Sequence, residues 1–112
     1  MNGVIVHNKL VRDNIPAIIE ESGQKANYRI LNDVEFRNAL RVKLVEEATE
    51  VHNATTRDEM VSELADVLEV IYHLANILDV DANTLYDIAD EKMETNGGFD
   101  KRIFLESVEQ EV

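Results

Sequence analysis

The sequence predicts a mainly α fold, a bundle of long antiparallel helices with a short extended N-terminal element. Three observations predict it. Apolar residues recur at helical spacing through residues 33–54 and 57–78. Start and stop residues bracket three long segments. Only short runs, "GVIV" at 3–6 and "NYRIL" at 27–31, read as extended.

Taken in order, "NKLVRDNIPAIIEESG" (8–23) turns into a short helix, with Pro16 tolerated in its first turn and Gly23 as its stop. Asn32 or Asp33 caps a helix that runs to about Ala54. Thr56 followed by Glu59 matches a capping box and opens a helix to about Leu78. "DVDAN" (79–83) breaks it, and residues 82–95 form a third long helix ended by Gly97 and Gly98. The partly apolar tail, 99–112, is expected to pack back on the body. There is no repeat, low-complexity tract or linker, so one domain over 1–112 is expected.

Composition narrows the function. Apolar residues make up 45% of the 112 residues, enough for a globular domain, and no apolar run approaches the roughly 20 residues that span a bilayer. "MNGVIVHNKL" lacks the basic start and long apolar stretch of a secretory signal, so a cytoplasmic protein is expected. The absence of Cys excludes disulfides, thiolate zinc sites and Cys nucleophiles. The formal charge of −12 disfavours nucleic-acid backbones and attracts cations.

Two helices carry carboxylates where apolar side chains belong. At about 100° per residue, Leu40, Leu44 and Val51 fall within roughly 60° of Glu47 on one side, and Phe36 and Ala54 close by on the other. Glu50 and Lys43 lie at the edge of that stripe, and Glu46 is turned roughly 100° from Glu47. Val67, Val70 and Leu74 likewise surround Glu63, with Asp66 on the edge one turn along and His73 two turns further on that side. Each helix thus places an acidic pair at i, i+3 on its packing face. A short connection makes the helices antiparallel and lets the pairs meet. Carboxylates in such a seam must protonate, pair with Lys or Arg, or bind a metal. Lys43 is the only base near the stripe on its own helix. Hard cations prefer carboxylate oxygens, and Mg²⁺ accepts a site left open to water and phosphate.

"EEATE" followed after twelve residues by "ELAD" resembles the EExxE…ExxD signature of the all-α nucleoside triphosphate pyrophosphatases. That superfamily includes the MazG-like proteins, the dimeric dUTPases and phosphoribosyl-ATP pyrophosphohydrolase. "NKLVRDNIPAIIEESG" and "GGFDKRIFLE" (97–106) resemble the flanking motifs of a MazG-like, house-cleaning branch, so the resemblance covers nearly the whole chain. Asn14 departs from it, standing where Lys is more usual.

The resemblance implies Mg²⁺-dependent hydrolysis of an NTP or dNTP between the α- and β-phosphates, with Mn²⁺ a possible substitute. It implies Glu47, Glu50, Glu63 and Asp66 as metal ligands and Glu46 as the catalytic group that positions or deprotonates water. Lys9, Arg12, Lys43, Lys92 and Arg102 are the candidate phosphate contacts, with Lys101 beside them. Lys9 and Arg12 have a second reading, as salt-bridge partners of Asp13 or the acidic helices. Tyr72, Tyr86 and Phe99 are expected in the core rather than against a base. Broad apolar faces, widened by Leu64, Leu68, Ile71 and Leu78, favour self-association, and the family resemblance implies a homodimer or homotetramer. Phosphoribosyl-ATP pyrophosphohydrolysis is the alternative reaction. A non-catalytic, cation-binding helical oligomer is the alternative of another class.

Overall fold

The computed structural model describes residues 3–110. Four helices follow one another: α1 (Ile15–Glu21), α2 (Asp33–Asn53), α3 (Arg57–Ile77) and α4 (Ala82–Asn96). No strand forms among the described residues. The runs 3–6 and 27–31 therefore do not build the extended element that their composition suggested. Val4, Ile5, Val6, Tyr28 and Ile30 stand exposed, with no neighbouring strand to supply backbone partners.

Local chemistry sets the helix ends. Asn32 accepts from the Glu35 amide at 2.9 Å while the Glu35 carboxylate accepts from the Asn32 amide at 3.4 Å, a complete capping box. Arg29 adds a two-pronged grip on Glu35 and lowers the pKa of its carboxyl. At α3, Thr56 accepts from the Glu59 amide at 3.2 Å, but Glu59 returns to the amide and hydroxyl of Thr55 instead of to Thr56. Asp81 caps α4 through the Thr84 amide at 2.8 Å, which holds its carboxyl pKa down. Gly97 ends α4 at φ +82°, a left-handed backbone that an L side chain rarely adopts.

The body is an α2–α3 hairpin. Two helices of 21 residues, joined by only three, 54–56, pack along their apolar stripes. Leu40, Val70 and Ala75 are the buried hydrophobic residues among those described, and Phe36, Leu44, Val51, Val67 and Leu74 are half-buried around them. α4 meets α3 much less extensively, and from Tyr86 onward every residue of α4 is exposed. The tail does not pack back: Phe99, Ile103, Phe104 and Leu105 are all exposed. These four side chains therefore have no cover from the described residues, and Phe99 does not enter the core. The chain measures 68 × 35 × 33 Å with a radius of gyration of 19.4 Å. A compact chain of this length has a radius of about 13 Å. No helix among the described residues is long and apolar enough to cross a membrane.

Candidate metal centre

The hairpin turn makes the acidic seam. Glu47 lies two turns before the end of α2, while Glu63 and Asp66 lie on the second and third turns of α3. Antiparallel packing therefore brings them to the same level. One carboxylate oxygen from each of Glu47, Glu63 and Asp66 lies within 4.8 Å of the others, and all three residues are half-buried. Mg²⁺ sits about 2.0–2.1 Å from its oxygens, so ligands on opposite sides are roughly 4.2 Å apart. The cluster's 4.8 Å limit is close to that span, and hard oxygen donors match a hard divalent cation. The donor set fits.

Electrostatics shows the strain of bringing these groups together. Burial raises the pKa of Glu63, and the charges of Asp66, Glu47 and Glu50 push it further the same way. Two basic side chains offset part of the charge. Lys43 lies 3.3 Å from both Glu46 and Glu47. Arg12 donates from Nη2 to Asp66 Oδ1 at 2.7 Å. That hydrogen bond, followed by the charges of Asp66, Glu69 and Glu47, raises the Arg12 pKa and keeps the guanidinium firmly protonated.

Glu50 is exposed and stands outside the three-carboxylate cluster. It lines a groove at the turn end of the hairpin with Asn53, Ala54, Glu59 and Glu63, one helical turn from Glu47. Glu46 is half-buried beside Val42, Val45, Thr49 and Glu50, outside the three-carboxylate cluster, with its carboxylate tied to Lys43. Arg12 takes the salt-bridge alternative read from the sequence, with Asp66 as its partner. Lys9, Lys92 and Arg102 are exposed and form no ion pair with the cluster among the described residues. Arg102 belongs to the tail that stays away from the body.

His73 pairs with Glu69 at 2.9 Å, not with Asp66. An i, i+4 partner lies directly one turn away, whereas Asp66 is two turns off. Glu69 was missed as a member of the acidic field, although Glu63, Asp66 and Glu69 form a visible i, i+3, i+6 row. Tyr72 and Tyr86 share a hydroxyl hydrogen bond at 3.1 Å between α3 and α4, and that bond raises the Tyr72 pKa.

An uncharacterized protein of Mycolicibacterium smegmatis is 48% identical over 50 residues, or 45% of this chain and 51% of that protein. The matched part thus spans about half the length of that relative. No solved structure matches. The sequence model of the phosphoribosyl-ATP pyrophosphohydrolase family matches residues 16–93, a stretch that contains all three clustered carboxylates. The chain belongs to the phosphoribosyl-ATP pyrophosphohydrolase family.

Proposed function

We propose that this chain is a Mg²⁺-dependent nucleotide pyrophosphohydrolase, with Mn²⁺ as a workable substitute. Its reaction adds water at the α-phosphorus of an NTP or dNTP, canonical or modified, and breaks the α–β anhydride. The products are the monophosphate and pyrophosphate. One observation carries the reading: carboxylate oxygens from two helices converge within 4.8 Å in a chain of this family.

Glu47, Glu63 and Asp66 hold the cation, and Glu50 joins from the turn end of the hairpin. When bound, the cation supplies charge neutralisation at the phosphates and a lowered pKa for water. Glu46 positions the water and accepts its proton, and Lys43 fixes Glu46 and Glu47 together through its paired contacts. Arg12 is the first choice for a phosphate contact, because a guanidinium can grip two oxygens at once. Lys9, Lys43, Lys92 and Arg102 are the further candidates.

A second copy of the chain completes the molecule as a homodimer or homotetramer. The support is the expanded radius together with the exposed apolar side chains of Val61, Leu64 and Leu68 on α3. A cytoplasmic location accords with this substrate class.

The family match favours phosphoribosyl-ATP as a second substrate reading. The flanking motifs that favour ordinary nucleotides lie mostly outside residues 16–93. Pyrophosphate release from a panel of NTPs, dNTPs, modified nucleotides and phosphoribosyl-ATP, with and without Mg²⁺, separates the two. Release that needs Mg²⁺ and vanishes in Glu47→Gln supports the proposal. Release from phosphoribosyl-ATP alone selects the second substrate. No release from any of them leaves a non-catalytic cation-binding oligomer. In Glu46→Gln, lost turnover with retained Mn²⁺ binding assigns the water to Glu46; lost Mn²⁺ binding makes it a ligand.

A further inference from the structure

Arg12 has two possible roles that exclude each other in time. As a phosphate contact it must be free to meet substrate, yet the structure shows it bound to a carboxylate of the cation cluster. Its position in the chain adds a second point. α1 brings no Cα within 8 Å of the other three helices. Among the described residues, Arg12–Asp66 is the one side-chain hydrogen bond that ties residues 3–28 to the α2–α3 hairpin. The contact links positions 54 residues apart, across a segment whose side chains are mostly exposed.

We propose that the Arg12–Asp66 ion pair is a latch, in which Arg12 occupies Asp66 until a divalent cation displaces it and frees both the guanidinium and the N-terminal segment. This rests on the cation-site reading of Glu47, Glu63 and Asp66. The balance of forces gives the direction. The Arg12 side chain is 57% exposed and that of half-buried Asp66 35%, so solvent reaches the pair, and a solvent-screened ion pair is individually weak. A divalent ion among the three carboxylates carries twice the charge of Arg12 and stands about one carboxylate away from it, so the two repel strongly at short range. The cluster also has only three close donors, and Asp66 gives a cation more when neither of its oxygens is held by Arg12.

The released guanidinium lies at the mouth of the site, where it can take a phosphate oxygen. Cation binding thereby makes Arg12 available to substrate. The order is built into the fold: cation first, then phosphate. Lys43 differs in kind. It lies on the same helix as its partners at i+3 and i+4 and is largely buried, so losing Glu47 still leaves it Glu46.

The test uses the full-length protein and Mn²⁺ alone, without nucleotide. Calorimetric titration compares wild type, Arg12→Gln and Arg12→Lys, and hydrogen exchange follows residues 3–28 with and without Mn²⁺. The latch predicts about three- to tenfold tighter Mn²⁺ binding in Arg12→Gln, where the competitor is gone. Arg12→Lys stays nearer wild type. Exchange in residues 3–28 of wild type speeds up on adding Mn²⁺, whereas Arg12→Gln exchanges fast from the start and does not respond. Equal or weaker Mn²⁺ binding in Arg12→Gln, or unchanged exchange in wild type, overturns the latch and makes Arg12 a fixed partner that orients Asp66. Wild type that binds no Mn²⁺ overturns the cation-site reading itself, a result distinct from both.

Discussion

Glu47→Gln tests the cation site without any assay of turnover, because its effect on stability should change sign with cation. The shortest charge contacts of Glu47 are one attraction and two repulsions. Lys43 Nζ is 3.3 Å away, and the oxygens of Glu63 and Asp66 are within 4.8 Å. In high dielectric the attraction is worth about 1.3 kcal/mol and each repulsion about 0.9; at an effective dielectric of 20 they become roughly 5 and 3.5. Either way the repulsions win, so neutralising Glu47 stabilises the cation-free protein by about 0.5–2 kcal/mol. At about 4 °C per kcal/mol for a chain near this length, the melting temperature rises by roughly 2–8 °C. With cation at ten times its Kd, wild type gains about 1.4 kcal/mol, or roughly 6 °C. The variant, short of one donor, gains almost nothing. Melting curves over a Mn²⁺ series should therefore close or cross: the variant melts higher without cation, and wild type makes up the difference as cation is added. A variant that melts below wild type by a constant amount at every Mn²⁺ concentration refutes the reasoning and makes Glu47 a purely structural carboxylate.

Burial and the charges of Asp66, Glu47 and Glu50 raise the Glu63 pKa, so the folded state holds that proton more tightly than the unfolded state. Stability of the cation-free protein should then fall as pH rises from the ordinary carboxyl range through the raised value, and Glu63→Gln should flatten that slope in urea titrations. Leu40 is 3% exposed at the centre of the hairpin, so Leu40→Ala should cost about 2–4 kcal/mol by urea denaturation. Light scattering should give a wild-type mass of at least two chains, and Leu64→Glu, which puts a charge on the exposed α3 face, should lower it.

Periodicity made the hairpin legible. Phe36, Leu40, Leu44, Glu47, Val51 and Ala54 were expected on one face, and each is buried or half-buried. Cap chemistry at Asn32 and Thr56 located the helix starts because those signals are local. The turn between them follows from the same residues, and with it the meeting of Glu47, Glu63 and Asp66. Elsewhere the information is not local. Helical phase placed Glu50 at the stripe's edge, where cover depends on what packs alongside, and Glu50 is exposed. The tail has apolar residues but no periodic face to dictate a docking site, so Phe99 and Phe104 find no place on their own chain. Arg12 could be tied to the acidic helices in principle, yet nothing in the spacing of "NKLVRD" selects Asp66.

The acidic seam and the thin core have one origin. Glu47 takes a stripe position that a Leu would fill with packing, and its side chain is only 14% exposed. A buried ion pair is often no better for stability than an apolar residue of similar size. Placing Leu there recovers most of the burial energy of an aliphatic side chain, about 1–2 kcal/mol, and removes the repulsion from its acidic neighbours. Lys43 is not stranded, since Glu46 remains 3.3 Å away. Glu47→Leu should therefore raise the urea midpoint of the cation-free protein while abolishing the thermal response to Mn²⁺. A protein that becomes sturdier as its site is lost keeps those carboxylates for chemistry. If Glu47→Leu instead lowers the midpoint, the Lys43–Glu47 contact is part of what holds the hairpin together, and the seam's charge is structural.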